Sequence, residues 1–327
     1  MSRLDAFGIA KQAAFGTKQT TMEYFPPETG VTVGNQRENL TLEETLGSRF
    51  PTGLAYGTRF FPLGVSGALR PASLPRIKSA FMGAPTTVAG TAGDVGSYVH
   101  TFDPTTASAE VFHSLFAVRK DPSTPIVDLF FDALGDNFEE TYAPNAYVVG
   151  NWNFIALDLH ETQAAPSVTR DTSARWTFDQ VAVYINLAGG GEAAVKCAAA
   201  SIQYSNNLDT DEAILGSKKL YALPLGNAEA TFSFSPREAL NDYYREALQA
   251  QPDTNAARIV ATGAAIGSTS KFFTVETVIS AFEITDAPAD IDASQVLKMV
   301  QVSGRVKLDD VSGKFVKQIV TNDVASY

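Results

Sequence analysis

The chain has one cysteine, Cys197, among 327 residues. That excludes an intrachain disulfide and a cysteine zinc cluster. Cys197 sits in the apolar run "VKCAAAS" with no histidine near it in sequence, which reads as a buried, inert thiol. So little cysteine points to folding in a reducing cytoplasm. No uninterrupted apolar run approaches the ~20 residues of a membrane helix. The first residues carry Asp5 and Lys11 where a signal peptide needs an apolar centre, so neither a secretory signal nor a membrane partner is expected. Basic clusters are missing too. Lys and Arg number 25 against 36 Asp and Glu, a formal net charge of −11. Scattered bases leave no electrostatic footprint for gripping phosphates. The acidity has two readings: plain solubility, or a surface past which nucleic acid slides without sticking.

Reactive constellations are equally scarce. The three histidines, His100, His113 and His160, all fall in strand-like runs. Asp158 and His160 share a strand face, but no third metal ligand is evident beside them, so they read as a surface pair. Asn207-x-Asp209-x-Asp211 starts like a calcium loop and then places Glu212 at the glycine position and Lys218 at the terminal glutamate position. Gly189-Gly190-Gly191 lacks the lysine of a phosphate loop and reads as a turn. Asp128, Asp132, Asp136, Glu139 and Glu140 crowd one stretch and are expected on a solvated acidic face. No catalytic, metal or cofactor site is expected, and the chain does not read as an enzyme.

What the chain does have is β-pattern. "RWTFDQVAVYINL" (175–187) and "AAVKCAAASIQYS" (193–205) read as two strands of one hairpin across the glycine turn. "AEATFSFS" (228–235) alternates Ala230, Phe232 and Phe234 against Thr231, Ser233 and Ser235, a half-buried strand. Ser235-Pro236-Arg237-Glu238 then has the parts of a helix start. The stripe Ala239, Leu240, Tyr243, Tyr244, Ala247 and Leu248 continues it as a short helix. Strands follow at 257–267, 271–285, 295–308 and 314–322. In the third, Val296, Val300, Val302, Val306 and Leu308 share one face and Gln301, Ser303, Arg305 and Lys307 the other. The first half keeps the same order. Strand-like "GTRFFPLGVSGAL" (57–69), with Pro62 and Gly64 marking a bulge, precedes a helix over Ser73–Met82 that buries Leu74, Ile77 and Phe81 and ends at Gly83. Strands at 98–102, 109–120, 125–134 and 145–161 complete it.

One landmark recurs inside this order. Leu46-Gly47-Ser48-Arg49, after Glu43 and Glu44, returns as Leu215-Gly216-Ser217-Lys218 after Glu212. The spacing of about half the chain predicts a diverged duplication: residues 1–168, with an N-terminal arm and a loop at 83–97, and residues 169–327. The joint is the small, polar, proline-containing "TQAAPSVTRDTSA". The segment "GAPTTVAGTAGDVGS" (83–97) has no apolar period and reads as a long flexible loop.

"FGIAKQAAFGT", "ENLTLEETLGSR", "GALRPASLPRIKSAFMG" before a glycine-rich loop, "YVHTFDP", and "SIQYSNNLDTDEAILGSK" followed by "EATFSFSPREALNDYYREAL" resemble the tail tube (major tail) proteins of long-tailed bacteriophages. The resemblance implies a mainly β chain of two tandem β-sandwich or barrel units, each with one short α-helix. Inner strands would join those of neighbours into closed rings, which stack into a conduit for the genome. Two units per chain imply a homotrimeric ring with pseudo-sixfold symmetry. The implied partners are further copies of the chain, a tape measure protein, a tail terminator and tail-tip proteins. Double-stranded DNA would pass through the lumen unbound. The implied location is the virion tail, after synthesis in the host bacterial cytoplasm. Candidate contacts between units are Arg49 and Lys218, paired with Glu43, Glu44 or Glu212; the competing reading is exposed turn charges worth ~0–1 kcal/mol. Gly83, Thr86, Thr87, Asp94 and Ser97, with the N-terminal arm, are candidates for contacts between rings. A non-tubular β-sandwich that binds glycan or protein is the alternative, marked by exposed aromatics around a groove, with Trp152 and Trp176 the residues to examine. A contractile secretion tube shares the ring but normally needs one unit per chain.

Overall fold

The computed structural model describes residues 6–19, 21–25, 31–42, 53–105, 110–120, 125–160, 167–187, 190–237, 255–287 and 301–327. The first half runs β1 (Ala6–Lys11), β2 (Thr21–Phe25), β3 (Val31–Val33), β4 (Gln36–Leu42), β5 (Gly53–Ala68) and α1 (Leu74–Met82). It continues with β6 (Thr86–Ala89), β7 (Tyr98–Phe102), β8 (His113–Lys120), β9 (Pro125–Tyr142) and β10 (Val149–His160). Then come β11 (Ser167–Arg170), β12 (Val181–Asn186), β13 (Ala193–Val195), β14 (Cys197–Ser205) and β15 (Glu229–Pro236). The chain ends with β16 (Ala256–Ala265), β17 (Phe272–Ile279), β18 (Ala281–Asp286), β19 (Val302–Lys307) and β20 (Val316–Asn322). The fold is mainly β, as expected.

These strands form two sheets, and each sheet takes strands from both halves. The smaller runs β13-β12-β16-β17-β20-β7-β6. The larger is organised by β9. One edge of β9 carries β10 from His160↔Leu129 to Val149↔Thr141. Its other edge carries β8 over the first part and β14 over the last, from Asn137↔Ser205 to Tyr142↔Ala200. Beyond β8 lie β1, β2 and β11; beyond β14 lie β15, β19 and β18; beyond β10 lies β5, holding β3 and β4. All pairs are antiparallel except β11 on β2.

Two sequence runs expected as single strands each break and change sheet. The 193–205 run splits at Lys196: β13 pairs β12 in the smaller sheet, while β14 joins β9 and β15 in the larger. The 271–285 run splits at Ser280 into β17 and β18 in the same way. The hairpin read across 175–205 is therefore only its short outer part, β12 with β13. Ser235 and Pro236, expected at a helix start, are the last residues of β15, opposite Ala199 and Cys197. The stripe from Ala239 to Leu248 lies outside the described residues. So do Val296 and Val300, while Leu308, placed on their apolar face, is half exposed just beyond β19.

Pro62 and Gly64 do not shift the β5–β10 ladder, which pairs without a break from Ala68↔Val149 to Phe61↔Ala156. The interruption falls on the other edge. There β3 gives way to β4 opposite Pro62, and Gly34 N–H donates to the Pro62 carbonyl at 2.8 Å. A residue without an N–H is tolerated where its neighbour strand breaks.

Helix α1 lies between the sheets, against β1, β7 and β9. Its first turn has free amides to satisfy. The Ser73 side chain does not cap it; Asp171 from the second half does, accepting from Ser73 N–H at 2.9 Å. Phe81 packs on Phe138 and Phe154 at 5.3 and 5.0 Å between ring centroids, close enough to Gly135 that a Cβ there would lie 2.3 Å from the Phe81 ring. Phe138 in turn stacks on Tyr204 at 5.3 Å, so the apolar core runs unbroken across the β9–β14 seam.

The acidic stretch is not a solvated face. Asp128, Asp132 and Glu140 are buried; Asp136 and Glu139 are half-buried. Glu140 forms an ion pair with Lys78 of α1, both side chains fully buried, and Lys78 Nζ stands 3.5 Å from the centre of the Phe138 ring. Gln318 Nε2 donates to Glu140 at 2.9 Å and to Thr277 Oγ1 at 3.1 Å, and Tyr142 Oη–H donates to Glu140 at 3.3 Å. Burial pulls the Lys78 ammonium down to about 8, against the opposing pull of Glu140. This network ties α1, the larger sheet and the smaller sheet together.

Candidate functional surface

The strand order β5-β10-β9-β14-β15-β19-β18 creates one broad face, and strict alternation decides its chemistry. Val65, Trp152, Phe138, Tyr204, Ala230, Phe232, Val306 and Phe282 point into the core. The intervening residues point away from it and are almost all polar. Cross-strand register aligns them in rows. One runs Ser66, Asn151, Glu139, Gln203, Thr231, Arg305, Glu283 across seven strands. A second runs Gly64, Asn153, Asn137, Ser205, Glu229, and a third Thr141, Ser201, Ser233, Ser303.

These groups bond to one another rather than stand free. Asn153 Nδ2 donates to Asn137 Oδ1 at 2.7 Å, and Gln203 Nε2 to Glu139 Oε1 at 3.3 Å. The hydroxyls of Ser201 and Ser233 are 2.8 Å apart, across the β14–β15 pair. Arg305 Nη2 donates to Glu229 at 3.2 Å and Lys307 Nζ to Glu283 at 3.4 Å. The rows line two shallow grooves in this face. It offers amides, hydroxyls and paired charges. Nothing on it is a nucleophile poised beside a base.

At one end the face changes character, and a bulge is the cause. Asp136 is the extra residue where the β9–β10 register shifts between Asn153 and Phe154. One inserted residue flips the alternation, so β9 turns Leu134 outward there, beside Ile155 and Leu157. That apolar end is covered by the segment 206–228, which inserts Leu220 and Leu223. Asn206 anchors the segment, its Nδ2 donating to the Phe81 and Gly135 carbonyls at 2.9 and 2.8 Å. Arg59 N–H donates to the Lys218 carbonyl at 3.0 Å, and Lys219 pairs with Asp158.

The residues singled out in the sequence fall in several places. Glu43, Glu44 and Arg49 lie outside the described residues. Glu212 and Lys218 are exposed on the 206–228 segment and touch neighbours through backbone groups; the ion pair there is made by Lys219. Gly83 ends α1 at φ +81°, a left-handed conformation that suits glycine. The loop at 83–97 is not flexible throughout: Thr86 and Thr87 belong to β6, paired with β7. Asp94 accepts from Ser270 N–H and Oγ–H at 2.9 and 2.7 Å, which holds its carboxyl below the usual range, and Ser97 Oγ–H donates to the Asp94 carbonyl at 2.8 Å.

The histidines are structural. His100 lies 2.8 Å from Thr87 Oγ1 and 3.1 Å from Asn322 Oδ1, and burial lowers it. His113 donates from Nδ1 to the Val111 carbonyl at 2.7 Å, with Nε2 2.9 Å from Ser79 Oγ, and burial drives it down to about 3. His160 sits beside Lys18 and Phe131, and Asp158 is engaged by Lys219. Cys197 is half-buried, its thiol pushed up to about 12 by burial. Trp152 and Trp176 are each 1% exposed, so neither presents an aromatic platform to a glycan. The polar rows escaped the sequence reading even though the alternations at 228–235 and 295–308 were visible, because register between distant strands is not written in either.

No curated protein matches the chain. Residues 3–316 match the family described as phage tail tube protein. A β-rich chain with a broad polar face and no candidate metal cluster among its described residues suits that family, and the match spans nearly its whole length: the chain belongs to the phage tail tube proteins.

Proposed function

We propose that this structural component of the virion tail builds the tube three chains to a ring, each chain filling two of six places. The observation that carries the reading is a repeated strand order. In the first half the larger sheet runs β3-β5-β10-β9, and in the second β14-β15-β19-β18. Taken in chain order, each set of four stands first, second, fourth, third. The last member of the first set, β9, pairs antiparallel with the first member of the second, β14.

That internal seam serves as the template for the seam between chains. Its repetition brings β18 of one chain antiparallel to β3 of the next. Among the described residues β3 pairs only with β5, and the outer edge of β18 is met only where Phe282 N–H donates to the Asn255 carbonyl at 2.9 Å. Open edges invite pairing, and ring closure removes them. Three chains then close a barrel of roughly 24 strands. Residues 1–168 and 169–327 are the two copies on this reading. The polar face lines the lumen, through which double-stranded DNA passes unbound. The loop at 83–97 is a contact between stacked rings. A tape measure protein, a terminator and tail-tip proteins complete the tail, and the chain is made in the host bacterial cytoplasm. Its role is structural, not catalytic.

Electron microscopy of the purified protein, with mass in solution, tests this. Rings of three chains are expected. Six chains to a ring would overturn the account of the repeat. A chain that stayed monomeric even with a nucleating tail-tip complex would overturn tube formation.

A further inference from the structure

We infer that Glu229 and Glu283 mask two neighbouring cations of β19, Arg305 and Lys307, and so keep the polar face from binding nucleic acid. The inference rests on the lumen reading above for its purpose, but the masking itself is a property of the single chain. Among the described residues of the polar rows, Arg305 on β19 is the cation, and Lys307 follows it two residues along the same strand, opposite Ala281. They point the same way, two residues apart, as phosphate-binding side chains on a strand would. Arg305 is 65% exposed.

Left alone, two such side chains would take hold of DNA phosphates. Each instead faces a carboxylate on a flanking strand. Arg305 reaches Glu229 of β15 at 3.2 Å and has Glu283 of β18 directly opposite on the other side. Glu283 closes the chain of charges on Lys307 at 3.4 Å. Exposed pairs of this kind add little to stability. Their effect lies in the field: the face carries Glu139, Glu229 and Glu283 against two cations, so its excess charge is negative. The rest of the rows are uncharged amides and hydroxyls. A phosphate backbone meets hydrogen-bonding groups there without a cation free to hold it.

The test removes the masks and keeps the cations. Glu229→Gln/Glu283→Gln chains, unassembled, are mixed with a short fluorescent DNA duplex and followed by anisotropy across a salt series. Wild type is expected to show no binding. The double variant is expected to bind, with affinity falling about tenfold between about 50 and about 200 mM salt if two phosphates are contacted. Adding Arg305→Gln/Lys307→Gln should abolish the gain. Loss of near-ultraviolet circular dichroism would report misfolding, and Glu229→Gln alone, which leaves Lys307 paired, then gives the same test at half strength. A folded variant that binds no better than wild type, or a gain that survives removal of Arg305 and Lys307, overturns the masking. Assembled tubes separate the two readings. If the variant chain gains binding but variant tubes take up DNA only on their outer surface, the masking stands and the lumen assignment falls.

Discussion

The two halves of the larger sheet share a strand order and differ in almost everything else. The first half uses long strands, 16, 18 and 12 residues in β5, β9 and β10. The matching strands of the second half, β15, β18 and β19, have 8, 6 and 6. Length has a consequence. Beyond the Asp136 bulge, the extra turns of β9 and β10 carry Leu134, Ile155 and Leu157 outward, and the second half covers them with the 206–228 segment. The cores differ as well. Where β9 places Glu140 against Lys78, β18 places Phe282 and Ile284. Two halves that only repeated one another would need neither the cover nor the ion pair. Each half has become a part of the other's fold.

The largest expected effect breaks the ionic side of this comparison. Lys78→Met leaves Glu140 buried without its cation, and stability should fall by about 3–5 kcal/mol. Urea denaturation of Lys78→Met/Glu140→Gln should regain much of that loss. A single variant as stable as wild type would mean the first half does not depend on the pair.

Acid comes next. His113 takes a proton near pH 6.5 when unfolded and only near pH 3 when folded, because burial penalises the imidazolium. Between those values the unfolded chain binds more protons. The contribution is therefore complete above about pH 6.5 and is lost as pH falls, by about 3 kcal/mol near pH 4. His113→Gln should flatten that part of the stability profile, whatever its cost at neutral pH.

Leu223→Ala tests the cover that the second half lends the first. The side chain is 1% exposed, and truncation should cost about 2–3 kcal/mol and speed proteolysis within 206–228. An unchanged melting temperature would make the segment a passenger.

The smallest effect concerns the break opposite Pro62. A Cβ on Gly34 would lie 2.7 Å from Pro62 Cγ, so Gly34→Ala should cost about 1 kcal/mol through local displacement. The β5–β10 ladder should survive it, as hydrogen exchange at Leu63–Val65 would report.

Much of this was legible residue by residue. The alternation of Ala230, Phe232 and Phe234 marked β15 and its buried face, and Leu74, Ile77 and Phe81 marked α1, because apolar period follows directly from backbone geometry. Charge was harder to read. Asp128 and Glu140 look like neighbours of Asp136 and Glu139 in sequence, yet they are buried and those are not. Burial of a carboxylate depends on partners such as Lys78 and Gln318, which arrive from 62 and 178 positions away. The sheet changes at Lys196 and Ser280 were equally silent, since β13–β14 and β17–β18 each read as one continuous strand.

The sequence by itself determined that this chain is β-rich, acidic and poor in reactive groups, and that a Leu-Gly-Ser-base landmark recurs half its length apart. Those are properties of composition and local period. Only the tertiary structure decided which strands share an edge, and with that which polar residues form one face. Every residue but proline offers the same N–H and C=O to a neighbour strand, so pairing leaves no local mark; it is settled by which apolar faces pack together once the whole chain is in place.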